Sequence, residues 1–170
     1  MIRKIIFVLA VVALSGCGYK FNGASIPEEM KTINVALFTN NAPLVIPTLS
    51  NNFTEELRAR IRNQSRLTIT QQTEADARLE GTITGYDIKP ISIQDNTRPV
   101  AGANRLTITV SVKYINNIKG HEKESFEESF NAFTDFSLAG QSLQAIQDRL
   151  IKEVTVKLTE NIFNRAFAQW

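Results

Sequence analysis

Residues 106–114 read Leu-Thr-Ile-Thr-Val-Ser-Val-Lys-Tyr. Apolar side chains stand at 106, 108, 110, 112 and 114, and hydroxyl or charged ones at 107, 109, 111 and 113. Successive side chains leave a strand on opposite sides, so this alternation predicts a strand with one face buried and the other wet. A sheet of such strands needs an apolar cover on one side only, and the rest of the chain has to supply it.

Working outward, Asn116–Gly120 carries turn chemistry, so Ser125–Phe133 is predicted to pair back as a hairpin. Phe126, Phe130 and Ala132 then point inward, and Glu128 breaks that pattern. Upstream, Ala77–Lys89 has small or apolar residues at 77, 79, 81 and 83, then at 86 and 88. The phase slips by one near Gly85, which predicts a bulge or a bend there. Leu67–Thr70 and Thr32–Phe38 read as further strands.

Two stretches provide the cover. Leu49, Phe53, Leu57 and Ile61 recur every four residues, with Pro47 placed to open the helix as its first residue and an end near Gln64–Ser65. Leu143, Ile146, Leu150, Val154, Leu158 and Ile162 predict a second helix from about Gln141 to Phe167. Asp148–Lys152 and Glu153–Lys157 are spaced to pair on its other face. The expected fold is α+β: a two-layer α/β sandwich, with two amphipathic helices packed on a mixed, mostly antiparallel sheet of about four strands.

Composition narrows the function. The chain has 170 residues, 43% hydrophobic and 21% charged, which suits one globular domain. Lys and Arg number 19 against 17 Asp and Glu. Without Arg3 and Lys4 the two counts are equal, so a general basic footprint for nucleic acid or a polybasic membrane patch is missing. One cysteine excludes an internal disulfide framework, and one histidine excludes a multi-histidine metal site.

The beginning of the chain points to a compartment. Arg3-Lys4, the apolar run Ile5–Leu14 and Ser15-Gly16 form a secretory signal pattern. An apolar helix of that length reaches only about 15 Å, half the hydrocarbon thickness, so it is no spanning helix. Leu14-Ser15-Gly16-Cys17 matches a bacterial lipobox, in which the cysteine takes diacylglycerol and, after cleavage, an N-acyl chain. Two or three chains anchor a protein stably where one does so marginally. Gly18 in place of Asp favours the outer membrane and its periplasmic face. The expected organisation is a signal peptide over 1–16, a lipidated tether over 17–30 and one domain over 31–170.

No residue constellation calls for catalysis or a cofactor. His121 follows Lys119-Gly120 in a turn, with no Ser or Cys nucleophile tied to it. Glu122, Glu124, Glu127 and Glu128 lie beside Lys123 on a hairpin and read as a solvated face. Arg58, Arg62 and Arg66 form either a phosphate-binding stripe or cations that complement the end of a helix. Pro90–Asn104 reads as a long connection between strands, the kind that is usually functional or disordered. It is edged by Lys89 and Arg105 and holds Arg98, so these three cations are candidate contacts for an anionic lipid headgroup, or ordinary surface charge. Trp170 seats the helix end or lies at an interface.

Several features converge: Cys17-Gly18-Tyr19-Lys20-Phe21, the strand Ile33–Phe38 followed by Thr39-Asn40-Asn41, the amphipathic stretch Leu49–Ile61, and Ala75-Asp76-Ala77-Arg78-Leu79-Glu80-Gly81-Thr82-Ile83. Together they resemble the LPS-assembly lipoprotein family LptE over nearly the whole chain after Cys17. The resemblance implies two helices on a mixed sheet and a non-enzymatic role. It implies a plug in the lumen of an LptD-type outer-membrane β-barrel, which helps that barrel fold and helps deliver lipopolysaccharide to the outer leaflet. A polar, Thr-rich sheet face suits a polar lumen. The strand–helix–strand pattern also resembles lipoproteins that regulate peptidoglycan synthases or belong to CsgG-like secretion assemblies.

Overall fold

The computed structural model describes residues 26–44, 46–93 and 100–168. Its centre is an antiparallel meander that contains the predicted hairpin. β4 (Ala77–Ile93) pairs with β5 (Val100–Asn116), and β6 (Phe126–Ser137) pairs with the far side of β5. Ile83 lies opposite Val110 and Gly85 opposite Thr109, so the extra residue between them is the bulge that the phase slip announced. β1 (Thr32–Val35) runs parallel to both β4 and β3 (Thr68–Thr70), and β2 (Thr39–Asn40) pairs with β4 further along.

The sheet has six strands where the sequence suggested about four. β3 falls within the predicted strand Leu67–Thr70, and the piece that the sequence did not mark is β2, which at two residues is too short for an alternation to register. A second difference concerns Pro90–Asn104. This segment is largely strand, because β4 continues through Pro90 to Ile93 and β5 begins at Val100. Proline suggests a break, but among the described residues no strand pairs with β4 on its β2 side past Ile83, and an edge is where a sheet tolerates proline. Pro47 also does not open its helix. α1 spans Leu49–Gln64, after a turn in which Leu49 N donates to Ile46 O.

Both helices cover one face of the sheet. Leu49, Phe53, Leu57 and Ile61 of α1 are fully buried. α2 (Leu143–Phe167) starts at Ser142, whose side chain caps Ala145 N, and buries Ile146, Leu150, Val154, Leu158 and Ile162. Of the two pairs expected on its outer face, Glu153–Lys157 forms at 3.3 Å. Phe167 meets Tyr114 edge-on at 5.7 Å. Glu128, the residue that broke the β6 pattern, is held by Arg165 of α2 through both oxygens at 2.6 and 3.2 Å, and that guanidinium lies over the Phe126 ring. The packed part of the chain extends back to Ile26. Met30 is fully buried, and Arg66 binds the carbonyls of Ile26 and Pro27. No helix of the described residues is long and apolar enough to cross a membrane.

Between β1 and β2 the first strand leaves the ladder. Phe38 N donates to Thr54 Oγ1 of α1 at 3.1 Å, and Phe38 O accepts from Ser50 Oγ. Arg58 Nη2 takes the carbonyl of Val35 at 2.6 Å. The helix thus satisfies the backbone groups that the sheet releases. The Phe38 ring packs against Phe53, with centroids 4.9 Å apart, and fills the space above Gly81. A Cβ at Gly81 would collide with the Ser111 carbonyl and come within 2.6 Å of the Phe38 ring. Gly81→Ala should therefore lower stability by about 1–3 kcal/mol through overpacking. Urea unfolding would read this as a lower midpoint at unchanged slope, and an unchanged midpoint would refute the tight fit.

Asp76 ties the start of β4 to β1. Its Oδ2 accepts from Lys31 N at 2.9 Å, Thr32 N at 2.8 Å and Thr32 Oγ1 at 2.8 Å, while Asp76 N donates back to Thr32 Oγ1. The bond from the Lys31 amide leads in holding this carboxyl below its ordinary value of 3.8. A group with a depressed folded pKa stabilises above its unfolded pKa and loses that contribution as pH falls through the folded one. Wild type should lose stability below about pH 4 more steeply than Asp76→Asn, as followed by denaturant midpoint against pH. Parallel profiles would contradict this role.

Candidate functional site

The side chains of β4, β5 and β6 that point away from the helices line an open face. Two cross-strand rows in its middle carry no charge: Thr39–Thr82–Ser111–Ser129, and Gly85–Thr109–Asn131. Thr39 and Thr82 hydrogen-bond through their hydroxyls at 2.8 Å. At one end lies a charged row, Glu80–Lys113–Glu127, with Arg78 bonded to Glu80 at 2.8 Å. The other end holds Asp87, Lys89, Arg105 and Asp135. The face is thus a band of hydroxyl and amide groups between two sets of paired charges.

The structure brings two of the three candidate cations together. Lys89 and Arg105 are direct cross-strand partners, with Arg105 in turn opposite Asp135. Lys89 Nζ contacts Asp87 at 2.6 Å, two residues earlier on the same strand face. Arg105 grips Asp135 through Nε at 2.6 Å and Nη2 at 2.8 Å, and its guanidinium lies 3.8 Å from the centroid of Phe133. The bond to Arg105 holds the Asp135 carboxyl below its usual range, and the bond to Asp87 raises the Lys89 ammonium. Each cation therefore carries its own carboxylate. Beside them is a shallow cleft of about 340 Å³ that also reaches Pro90 and Ile91. Arg98, Cys17 and Trp170 lie outside the described residues.

Asp87, Phe133 and Asp135 were not singled out from the sequence. The Asp87–Lys89 spacing of two was a readable signal for a same-face pair. Asp135 and Phe133 become neighbours of Arg105 only through the β5–β6 register, which no local pattern reveals.

The remaining candidates resolve into structure. His121 Nδ1 meets Glu124 Oε1 at 2.6 Å, which raises the imidazole pKa, and Glu124 also accepts from buried Asn116. This network fastens the β5–β6 turn. Arg58 and Arg66 are spent on backbone carbonyls of Val35, Ile26 and Pro27, and Arg66 lies beyond the end of α1, so Arg58, Arg62 and Arg66 make no continuous anion stripe. Among the described residues no cluster of His, Cys, Asp or Glu is arranged to hold a metal.

Known proteins give this geometry a family. Solved structures share the fold at low identity. A hypothetical protein from Chlamydia trachomatis aligns with a TM-score of 0.54 at 9% identity, over 81% of this chain and 98% of its own. Rare lipoprotein B from Shewanella oneidensis aligns at 0.52 and 12%, over 79% and 92%. A minor lipoprotein from Acinetobacter baumannii aligns at 0.51 and 11%, over 79% and 91%. No curated protein sequence matches. The family model of LptE, lipopolysaccharide-assembly, matches residues 30–166, which takes in both helices and the sheet from β1 to α2. The chain belongs to the LptE family.

Proposed function

We propose that this LptE-family chain is an outer-membrane lipoprotein, anchored through acyl chains on Cys17, that plugs and helps assemble an LptD-type β-barrel during lipopolysaccharide transport to the outer leaflet. The observation that carries the reading is the uncharged hydroxyl and amide band across the open sheet face. A barrel lumen is polar, and a partner seated in it needs a surface that hydrogen-bonds without burying unpaired charge. The rows of Thr, Ser and Asn offer this, and three flanking pairs, Arg78–Glu80, Lys89–Asp87 and Arg105–Asp135, are already compensated within the chain. LptE is a family of non-enzymatic lipoproteins, and this role asks for positioning rather than bond-making.

In this proposal Lys89 and Arg105, with Arg98, contact the phosphates of lipopolysaccharide. The two described cations would do so by exchanging Asp87 and Asp135 for a phosphate.

Co-purification of the tagged, lipidated chain from mild-detergent extracts should yield a large outer-membrane β-barrel at equal stoichiometry. Ser111→Lys, in the middle of the band, should reduce that yield by an order of magnitude without lowering the unfolding midpoint. A peptidoglycan synthase in place of a barrel, or full barrel recovery with Ser111→Lys, would overturn the reading.

The exchange makes a separate prediction. Asp135→Asn frees Arg105 and should strengthen binding of purified lipopolysaccharide several-fold at low salt, whereas Arg105→Glu should weaken it. Surface plasmon resonance at two ionic strengths would test this. Equal affinities for both variants would remove the cation pair from the site.

A further inference from the structure

The open sheet face leaves the outer side of the helical layer unused, and a cleft of about 640 Å³ lies there between α1 and α2. That volume is within the range of specific binding sites. Its floor is formed by Ala59, Ile151 and Thr155. Thr155 is 2% exposed, and its Oγ1 has no hydrogen-bond partner. The other buried threonines of the helices behave differently. Thr54 Oγ1 donates to Ser50 O, and Thr159 Oγ1 donates to Val156 O while accepting from Arg60 Nε. This hydroxyl is sealed in its present rotamer, and rotation about the Cα–Cβ bond would carry it into the cleft, where a partner from outside the chain could pair it.

The rim has a definite charge pattern. Glu55, Glu56 and Arg62 stand on the α1 side, and Asp148 and Lys152 on the α2 side. Glu55 is paired with Arg58 at 2.7 Å, and among the described residues none of the other four has an ion-pair partner within 4.0 Å. A phosphate or acyl ligand does not suit this rim, because three carboxylates repel the first and five charges oppose the second. The two walls are stripes with helical spacing: Asn52, Glu56, Ala59 and Arg62 on one side, and Asp148, Ile151 and Thr155 on the other. A trough between two helices accepts the side-chain ridge of a third. Measured from Thr48 to Arg62, it is about 20 Å long, or roughly four helical turns.

We infer that this cleft is the docking site for an amphipathic helix of a protein partner, one that carries acidic and basic side chains about one turn apart and a polar group that reaches Thr155. It lies on the opposite side of the molecule from the open sheet face, so substitutions in it leave the hydroxyl and amide band untouched, and a barrel wall at this side would be read as a strand adduct rather than a helical one.

The test uses the full lipidated chain in cells with a photo-reactive amino acid at Ala59, and at exposed Glu160 as control. One discrete protein adduct is expected at 59 and not at 160, with the cross-linked partner peptide in a helix-forming segment of mixed charge. Arg62→Glu combined with Lys152→Glu should cut the adduct about tenfold. Thr155→Val should also reduce it several-fold while keeping or raising the thermal midpoint, because it removes an unpaired hydroxyl of similar shape. That combination separates lost binding from lost folding. No adduct above the control, a lipid adduct only, a dimer of this chain, a strand segment as the partner, or insensitivity to these substitutions would each overturn the inference.

Discussion

The seat of Phe38 on Gly81 is the contact on which the two halves of the molecule depend. The antiparallel meander is local and pairs with itself. The parallel half, β1, β2 and α1, has to be attached across long sequence separations. Gly81 lacks a Cβ where the Phe38 ring and the Ser111 carbonyl come closest, so the first strand can bend inward over β4. The bend removes Phe38 from the ladder. Its amide and carbonyl then bond Thr54 and Ser50, and this fixes the first turns of α1 against the sheet. Phe53 completes the stack. The same bend leaves Leu37 56% exposed, an apolar cost at the surface that the interior contact outweighs.

Placing both helices on one side decides the chemistry of the other. A sheet with one open face cannot make it apolar without creating a large sticky patch. This chain fills that face with hydroxyls and amides and puts charge only toward its ends. The long β6 edge is exposed to pairing with other strands, and the chain restrains it from the helical side. Lys157 Nζ bonds the outward carbonyl of Phe133, and Arg165 clamps Glu128. Polar character on the open face and restraint at the edge are thus two consequences of one architecture.

Most of this architecture was readable because it is periodic. The alternation in 106–114, the four-residue recurrence in 49–61 and the slip at Gly85 each report a geometry set by neighbours in sequence. The misses have one cause in common. β2 is a strand because the longer β4 lies beside it, and Pro90 is in a strand because β5 holds its other side. The site was legible to the same degree. Lys89 and Arg105 could be picked as cations near one sheet end, but their neutralisation by Asp87 and Asp135 depends partly on register. Glu128 shows the converse: an apparent error in the pattern is the mark of a distant partner, Arg165.

In the proposed role, the positions of these groups along the sheet constrain how an anchored molecule could use them. The chain enters the domain at Ile26–Met30, beside the start of β4, since Lys31 and Thr32 are tied to Asp76. Lys89 lies twelve residues further along that strand, roughly 40 Å away at the rise of an extended chain. The hydrocarbon core of a membrane is about 30 Å thick. If the long axis stands upright in a lumen, an entry point near the inner leaflet puts Lys89 and Arg105 near the opposite headgroups. If it points into the periplasm, the same pair sits far from either leaflet. A balanced pair suits the first arrangement better than a bare cationic patch would. Two uncompensated cations inside a barrel wall would cost desolvation energy until a phosphate arrived, whereas Asp87 and Asp135 hold that charge satisfied and yield it only to a better acceptor. In the proposed role, the carboxylates that neutralise the two cations are therefore what would allow such a site to exist in a lumen before a phosphate comes.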